Sequence, residues 1–429
     1  MKTDFTLAQL ADPKFSNSND ILRNCVHCGF CTATCPTYIE LGDERDSPRG
    51  RIYMIQQMLE SGKPAEKETV THIDRCLSCF SCMTTCPSGV DYMHLVDHAR
   101  QYVEDTYQRP AFDRILRNVL GIILPRPHVF RLALLGATIV KPFKGIFSGR
   151  IRAMLDMAPS SLPQRSILDE LPVHAAEGSK RIKRVVLMTG CAQKVLSPDI
   201  NDATIRLLTR HGVEVVIPKE AGCCGALPLH MGQEGPAMAM ARKNIEAWHS
   251  ELTGYGLDAI IINTSGCGTT VKDYGHMFEL DEGLSEKAKT IGNLAKDITE
   301  FLADLDLKTE NFTSDLRIAY HSACSLQHGQ KITDIPKDLL ANAGFDVYSL
   351  PEAHICCGSA GTYNLLQPEL SSRLKERKVN NIKSLAPDLV SAGNIGCIEQ
   401  IASGMDLPVV HTVQLLDWAS GGPKPEAIS

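Results

Sequence analysis

The sequence predicts a combined α+β and α/β architecture, in which a helical N-terminal domain precedes a duplicated α/β domain with mainly parallel sheets. The 16 cysteines form two groups of eight, separated by residues 109–180, which contain none. Three cysteines of the second group recur at a constant spacing, and short apolar runs alternate with helical patterns around them, as in α/β domains. We therefore expect four regions, namely residues 1–108, 109–180, 181–305 and 306–429.

Composition and charge narrow the class of protein. The 429 residues are 43% hydrophobic and 22% charged, which is ordinary for a soluble protein of two or three domains. The net charge of -6 argues against a nucleic-acid partner. Residues 1–24 lack a secretory signal, and apolar runs such as 132–140 fall short of the ~20 residues of a spanning helix. We expect a cytoplasmic protein, at most peripheral at the cytoplasmic membrane face, whose cysteines serve metal or redox chemistry.

The first region contains a clear helix signal between its two cysteine motifs. Ser47 followed by Pro48 predicts an N-cap and a first helical position. Apolar residues then recur at helical spacing, at Ile52, Ile55, Met58 and Leu59. A helix is therefore expected to begin at Pro48.

Each half of the first region carries the pattern C-x2-C-x2-C-x3-C-P. Bacterial ferredoxins bind [4Fe–4S] clusters with this run, and the fourth cysteine of each run ligates the other cluster. Three thiolates on one short loop can hold three corners of a cubane, while the fourth points away. We assign the first cluster to Cys25, Cys28, Cys31 and Cys86. We assign the second cluster to Cys35, Cys76, Cys79 and Cys82.

Zinc is the alternative occupant of these motifs, because paired C-x2-C motifs also suit a tetrahedral zinc ion. Four evenly spaced cysteines that end in proline, present twice, favour a two-cluster ferredoxin-type domain. Two clusters that share two motifs must lie close together, which makes a path for sequential one-electron transfer. His27 and His72 are expected either beside the clusters or in solvent, and not as ligands, since the cysteines complete both ligand sets.

The middle region is predicted to be helical and basic. Phe112, Ile115, Leu116, Val119 and Ile123 form one apolar stripe. Between residues 109 and 152 there is one acid, Asp113, against nine basic residues: Arg109, Arg114, Arg117, Arg126, Arg131, Lys141, Lys144, Arg150 and Arg152. Two interpretations stay open, a helical linker with a solvated basic face and a docking surface for an acidic partner or anionic lipid headgroups.

The third region is an internal duplication. Three cysteines, Cys191, Cys223 and Cys224, recur 133 residues later as Cys324, Cys356 and Cys357. Strand-like apolar runs lead to the cysteines in both copies, at 185–188, 212–218 and 258–263 and again at 318–320, 344–351 and 388–391. Such folds place their sites in the loops at strand ends, which is where the cysteines lie.

The paired cysteines are followed by glycine in both copies, which allows the tight turn that two adjacent thiols need to serve one site. Each copy can collect four thiols that suit a cluster or a zinc ion. The first copy offers Cys191, Cys223, Cys224 and Cys267. The second offers Cys324, Cys356, Cys357 and Cys397.

The duplicated pattern resembles the cysteine-rich CCG domain of heterodisulfide reductases and their relatives, in which these motifs bind a noncubane [4Fe–4S] cluster. Those motifs end in C-x-x-C, whereas Cys267 is followed by Gly-Thr and Cys397 by Ile-Glu. One ligand per repeat is therefore missing. Two interpretations stay open, a third cluster or a metal ion in one or both repeats, and repeats that keep the fold without one.

The whole layout resembles the iron–sulfur subunits of glycolate oxidase, and the resemblance covers nearly all of the chain. Its most specific stretches are 25–38, 42–44, 47–53 and 74–79. The resemblance implies a separate flavoprotein subunit that oxidises glycolate or D-lactate, with electrons passing through this chain towards the quinone pool. The chain shows no G-x-G-x-x-G after a strand and no nucleophilic catalytic set, so we expect it not to act on glycolate alone.

Three alternative functions remain. The first is the same role in a related lactate or glycerol 3-phosphate dehydrogenase complex. The second is a self-contained thiol–disulfide reductase, which would use the CCG thiols on a disulfide substrate. The third is a structural metal-binding adaptor without reversible redox chemistry.

Overall fold

A computed structural model describes residues 1–178, 181–309 and 312–429 of the chain. The predicted boundary at residue 180 lies outside these ranges. Helices build the N-terminal domain. They are α1 (Leu7–Leu10), α2 (Pro13–Asn24), α3 (Pro36–Leu41), α4 (Pro48–Ser61), α5 (Lys67–Asp74), α6 (Ser81–Thr85) and α7 (Tyr92–Thr106).

The predicted start of α4 is confirmed. The Ser47 hydroxyl accepts the backbone N–H of Gly50 at 3.0 Å, and Pro48 is the first residue of the helix. The residues predicted to share one face are all buried in the core of the domain: Ile52, Ile55, Met58 and Leu59.

The middle region consists of helices α8 (Ala111–Ile123), α9 (Pro127–Val140) and α10 (Gly149–Met157). The predicted stripe on α8 is only partly buried. Leu116 packs inward, whereas Phe112 is 56% and Ile115 59% exposed. The reason is that this face of α8 lines a cavity instead of a filled core. No helix among the described residues is long and apolar enough to cross a bilayer.

The first repeat contains a five-stranded sheet of order β1-β3-β2-β4-β5, parallel except for β1. Its strands are β1 (Val173–His174), β2 (Lys183–Met188), β3 (Val213–Val216), β4 (Ala259–Ile262) and β5 (Ala295–Asp297). Its helices are α11 (Gln193–Leu196), α12 (Asp199–Arg210), α13 (Ala226–His230), α14 (Glu234–Tyr255), α15 (Ser265–Lys272), α16 (Tyr274–Met277), α17 (Ser285–Leu294) and α18 (Ile298–Ala303). The edge strand β1 comes from the segment expected to be linker.

The second repeat has a four-stranded parallel sheet of order β7-β6-β8-β9. Its strands are β6 (Arg317–His321), β7 (Asp346–Ser349), β8 (Leu389–Ala392) and β9 (Val409–His411). Its helices are α19 (Ile335–Asn342), α20 (Tyr363–Leu366), α21 (Pro368–Lys383), α22 (Ile395–Ala402) and α23 (Thr412–Ala419). This order matches β3-β2-β4-β5 of the first repeat, so the duplication extends to the topology, and the predicted mainly parallel sheets are confirmed.

The two repeats share a hydrophobic core, to which β2 and α12 contribute from one copy and β6 and α23 from the other. Polar contacts cross the same junction. Asp417, fully buried, lies 2.7 Å from Arg206 and 2.9 Å from Arg210. The carboxyl ends of β2, β4, β6 and β8, which precede the single cysteines, therefore face a common region.

The N-terminal domain docks on both repeats through ion pairs. His94 lies 2.9 Å from Asp273 of the first repeat, and Glu40 lies 3.1 Å from Arg377 of the second. Burial opposes protonation of His94, but its contacts with Asp273 and Asp91 prevail and raise its pKa to about 10. A charged His94 therefore links the first domain to the repeats.

Candidate functional site

Two small cavities of the N-terminal domain collect its eight thiols. All 16 cysteines lie in the described ranges, and none is disulfide-bonded. Cysteines lining the first cavity are Cys25, Cys28, Cys31, Cys82 and Cys86. Those lining the second are Cys35, Cys76, Cys79 and Cys82. The structure thus brings together the four thiols predicted for each cluster, and Cys82 marks the place where the two cavities adjoin.

The two cysteine loops share one backbone conformation. In the first loop, His27 and Gly29 flank Cys28 with φ of 56° and 86°. In the second, Ser78 and Phe80 flank the equivalent cysteine with φ of 49° and 59°. A non-glycine residue adopts such left-handed values at a cost of about 1–2 kcal/mol. Both loops keep this strained turn, which fits the shared task of directing several thiols at one centre.

Buried positive charge lies beside the second cavity. Arg51 is 1% exposed, and its Nη1 lies 3.9 Å from the Sγ of Cys35. Arg100 donates to the carbonyl oxygen of Cys76 at 2.7 Å. Burial by itself raises the pKa of Cys76, but Arg51 and Arg100 outweigh it and leave this pKa below its usual value. In contrast, burial raises the pKa of Cys31, in the first cavity, to about 11.

An ion network holds Arg51 in place. Asp46, fully buried, lies 3.4 Å from Arg51, 2.8 Å from His72 Nδ1 and 2.9 Å from Arg75. Asp43, Asp46 and His72 also lie within 4.8 Å of one another, as metal ligands would. The cationic partners of Asp46 already balance its charge, so this group is an ion network. His72 supports the second cavity without lining it.

Each CCG repeat gathers its four thiols in a row of contacts. In the first repeat the row is Cys191, Cys223, Cys224 and Cys267. In the second it is Cys324, Cys356, Cys357 and Cys397. The glycine after each cysteine pair is required. Gly225 has φ 90° and Gly358 φ 88°, and a Cβ there would lie 2.7 Å and 2.6 Å from a backbone oxygen. The predicted role of these glycines is confirmed.

His321 lies beside the second row, a position that the cysteine pattern of the sequence did not predict. It is fully buried, and neither ring nitrogen has a hydrogen-bond partner within the described chain. Its ring lies within 4.8 Å of the thiols of Cys357 and Cys397. Burial lowers the pKa of His321 well below its usual value, so the imidazole is neutral, the form that binds metals. The first repeat has Met188 at the equivalent position, and this difference was visible in the 133-residue offset.

All eight CCG thiols line one cavity of about 600 Å³. The opposite wall consists of apolar side chains from α8, α9 and α10. Cys79 of the N-terminal domain also reaches this cavity and packs against Cys324 and Cys356. The thiol sites therefore form a continuous series from the first cavity through the second to the repeats. The sequence predicted the sites but not their convergence.

The structure also shows where the basic residues of the middle region lie. Arg109 and Arg117 are buried and lie 2.7 Å and 2.9 Å from Asp74. Arg150 pairs with Asp113, and Asp156 pairs with two further basic residues, Lys144 and Arg152. No described residue forms an ion pair with Arg114, Arg126, Arg131 or Lys141. Much of the expected basic surface is thus neutralised within the molecule.

Comparisons with protein families identify both types of domain. A 4Fe-4S dicluster domain matches residues 21–90, and a cysteine-rich (CCG) domain matches residues 185–272 and 318–402. A crystal structure of a hypothetical protein from Helicobacter pylori superposes with a TM-score of 0.53, covering 97% of this chain and 74% of that chain. At 9% identity this likeness shows the fold alone.

Several curated proteins resemble the chain. The glycolate oxidase iron-sulfur subunit of Escherichia coli K12 is 40% identical over 98% of this chain and 99% of its own length. The probable glycolate oxidase iron-sulfur subunit of Bacillus subtilis 168 is 29% identical over 93% and 94%. Lactate utilization protein A of Oceanobacillus iheyensis is 27% identical over 54% of this chain and 96% of its own. The chain therefore belongs to the family of glycolate oxidase iron–sulfur subunits.

Proposed function

We propose that the chain is the electron-transfer subunit of a flavin-dependent 2-hydroxyacid dehydrogenase acting on glycolate or D-lactate. It takes electrons from a flavoprotein subunit and passes them to a quinone or another acceptor. The observation that carries this proposal is the continuous series of thiol sites leading from the surface to an apolar cavity. Family membership supports the flavoprotein partner.

The thiols that would hold the clusters are those predicted from the motifs. The first set is Cys25, Cys28, Cys31 and Cys86. The second set is Cys35, Cys76, Cys79 and Cys82. Bound [4Fe–4S] clusters would supply reversible one-electron chemistry at these positions. The protein's own contribution is to bury the thiols and to place Arg51 and Arg100 so that negative charge is stabilised at the second set.

Electrons are proposed to arrive at the first set, because it lies at an exposed apolar surface. Cys28 is exposed, and its neighbours Val26 and Phe30 are 67% and 64% exposed. Exposed apolar side chains around a redox site fit a protein partner's docking surface. The flavoprotein subunit is the partner that must approach this closely.

Metal binding in the repeats is the second part of the proposal. The first repeat offers four thiols. The second offers four thiols and the neutral imidazole of His321, so it has one more ligand atom than the first. Close packing of Cys79 against Cys324 and Cys356 makes the second repeat the next site in the series. We propose that a cluster or metal ion is held there.

A membrane contact is proposed at the outer face of the middle region. Ile139 is 74%, Phe143 61% and Ile146 81% exposed, and Lys141 lies among them without an ion pair to any described residue. An apolar face with basic residues suits the headgroup boundary of an anionic membrane. This arrangement would keep a cytoplasmic protein peripheral at the cytoplasmic membrane face.

The test is an assay of the holoprotein with and without its flavoprotein subunit, on glycolate, D-lactate and glycerol 3-phosphate. The complex is expected to oxidise a 2-hydroxyacid, and the flavin-free chain is expected to oxidise none of the three substrates. Oxidation by the flavin-free chain would overturn the proposal. Oxidation of glycerol 3-phosphate alone would assign the chain to a different dehydrogenase complex. Reduction of a disulfide substrate without a flavoprotein would favour a thiol–disulfide reductase.

A further inference from the structure

The 600 Å³ cavity has two chemically different walls. One wall carries the CCG thiols together with polar side chains such as His230 and Gln193. The other is built by α8–α10 and is apolar throughout. Its side chains include Phe112, Val119, Phe130, Leu134, Ala137 and Met154. Apolar side chains offer no ligand to iron or zinc, so metal binding at the thiols leaves this half of the cavity unexplained.

Helix α9 carries apolar side chains both towards the cavity and towards the protein surface, so an apolar ligand could reach this half of the cavity past it. Phe130, Leu134 and Ala137 recur at helical spacing and line the cavity. Leu132 and Ile139, on the other side, are 68% and 74% exposed. A helix that carries large apolar side chains on its exposed face as well as on its cavity face is suited to apolar surroundings on both sides. The region between cavity and surface is therefore suited to a ligand that arrives from a lipid phase.

We propose that this cavity is the binding site of a lipid-soluble quinone, whose isoprenoid tail lies along α8–α10 and whose ring lies at the thiol wall. This inference rests on the proposed function and names its electron acceptor and the place where that acceptor binds. A volume of about 600 Å³ lies within the usual range of about 300–1,000 Å³ for small-molecule sites. A water-soluble acceptor has no use for an apolar wall.

The chemistry balances without a further reactant. Oxidation of one 2-hydroxyacid to its 2-keto acid releases two electrons and two protons. Reduction of one quinone to the quinol consumes two electrons and two protons. Clusters held at the series of thiol sites would supply the electrons one at a time. His230 lines the cavity, its Nδ1 lies 3.7 Å from the carboxylate of Asp97, and its side chain is 30% exposed. It is thus placed to pass a proton from solvent to a ring oxygen.

The experiment measures binding of decylubiquinone to the holoprotein and compares two tryptophan variants of α9. Ala137→Trp fills the apolar half of the cavity. His128→Trp adds the same bulk at an exposed position of the same helix that does not line the cavity. Ala137→Trp is expected to weaken decylubiquinone binding at least tenfold, while His128→Trp leaves it unchanged. Iron content and visible spectrum verify that both variants fold.

The second readout separates this inference from the proposed function. In the complex with the flavoprotein subunit, Ala137→Trp should abolish quinone reduction but leave the reduction of the iron–sulfur centres by substrate intact. If the centres were not reduced even in the wild type, the proposed function would fail. If quinone binding were unchanged in Ala137→Trp, or if an acyl chain without a quinone ring competed equally well, the quinone site would be refuted.

A measurement on the unmodified protein covers the case in which Ala137→Trp does not fold. An azido derivative of a short-chain quinone, activated by light, should attach to peptides of α8–α10, and decylubiquinone should prevent the attachment. Labelling outside the cavity, or labelling that decylubiquinone does not reduce, would overturn the assignment.

Discussion

Replacing Arg51 by glutamine should lower the reduction potential of the second cluster. The guanidinium Nη1 lies 3.9 Å from the Sγ of Cys35, and the side chain is buried. Adding a metal–sulfur bond of about 2.3 Å places the positive charge about 6 Å from the metal. At an effective dielectric constant of about 20, a unit charge at about 6 Å contributes about 2.8 kcal/mol. For a one-electron couple, where about 1.4 kcal/mol equals about 59 mV, this corresponds to a decrease of about 120 mV.

The assay is a potentiometric titration of the holoprotein followed by electron paramagnetic resonance, which reports each cluster separately. The first cluster should shift much less, because Arg51 lines only the second cavity. Arg51→Lys keeps the charge and is the matched control. Asp46 keeps His72 and Arg75 as partners, so the network is not left without a counter-charge.

The reasoning is refuted if both clusters shift equally, if Arg51→Lys shifts the potential as far as Arg51→Gln, or if the decrease is below about 30 mV, a quarter of the value from Coulomb's law. Arg100→Gln gives an independent check. Arg100 donates to the Cys76 carbonyl, and its removal should lower the same potential.

Three further predictions concern stability, metal content and membrane binding. The pKa of His94 is about 10 when folded against 6.5 unfolded, so its protonation stabilises the fold fully below about pH 6.5, and this stabilisation is lost as pH rises towards 10. The thermal unfolding temperatures of wild type and His94→Gln should therefore differ most below pH 6.5 and converge near pH 10, and a pH-independent difference would contradict this. His321→Met, which makes the second repeat match the first, should lower the metal content per chain without changing the metal bound by the eight N-terminal cysteines. A metal content equal to that of the wild type would exclude His321 as a ligand. The double variant Ile139→Asp and Ile146→Asp should reduce flotation of the protein with anionic liposomes. The control Leu280→Asp, at a 62% exposed position of the first repeat, should not reduce it. Equal effects of the two variants would rule out a specific membrane face.

Local features of the fold could be predicted from the sequence because short-range chemistry determines them. The hydroxyl of Ser47 and the ring of Pro48 define the start of α4 without help from the rest of the chain. Apolar runs likewise predicted β2, β4, β6 and β8 close to their observed positions. Strands β5 and β9 were missed because each has only three residues, which include Lys296 and Asp297 in β5 and His411 in β9. Their strand state depends on pairing with β4 and β8.

The candidate site was predictable in its parts but not in its assembly. Motif spacing alone placed Cys86 with the first three cysteines of motif one and Cys35 with those of motif two. In the structure the same residues line the first and the second cavity, respectively. The convergence of both CCG rows on one cavity depends on how the repeats pack, which no local pattern encodes. The same holds for the middle region, where Asp74, from a different domain, neutralises Arg109 and Arg117. Net charge along the sequence therefore overestimated the basic surface.

The central claim is that electrons from a flavoprotein pass through the N-terminal clusters of this chain. The most direct measurement adds glycolate, without air and without an acceptor, to the complex of the holoprotein and its flavoprotein subunit. Electron paramagnetic resonance should then show reduced clusters in the wild type, and subsequent addition of decylubiquinone should reoxidise them. Clusters that stay oxidised while the flavin is reduced would contradict the account.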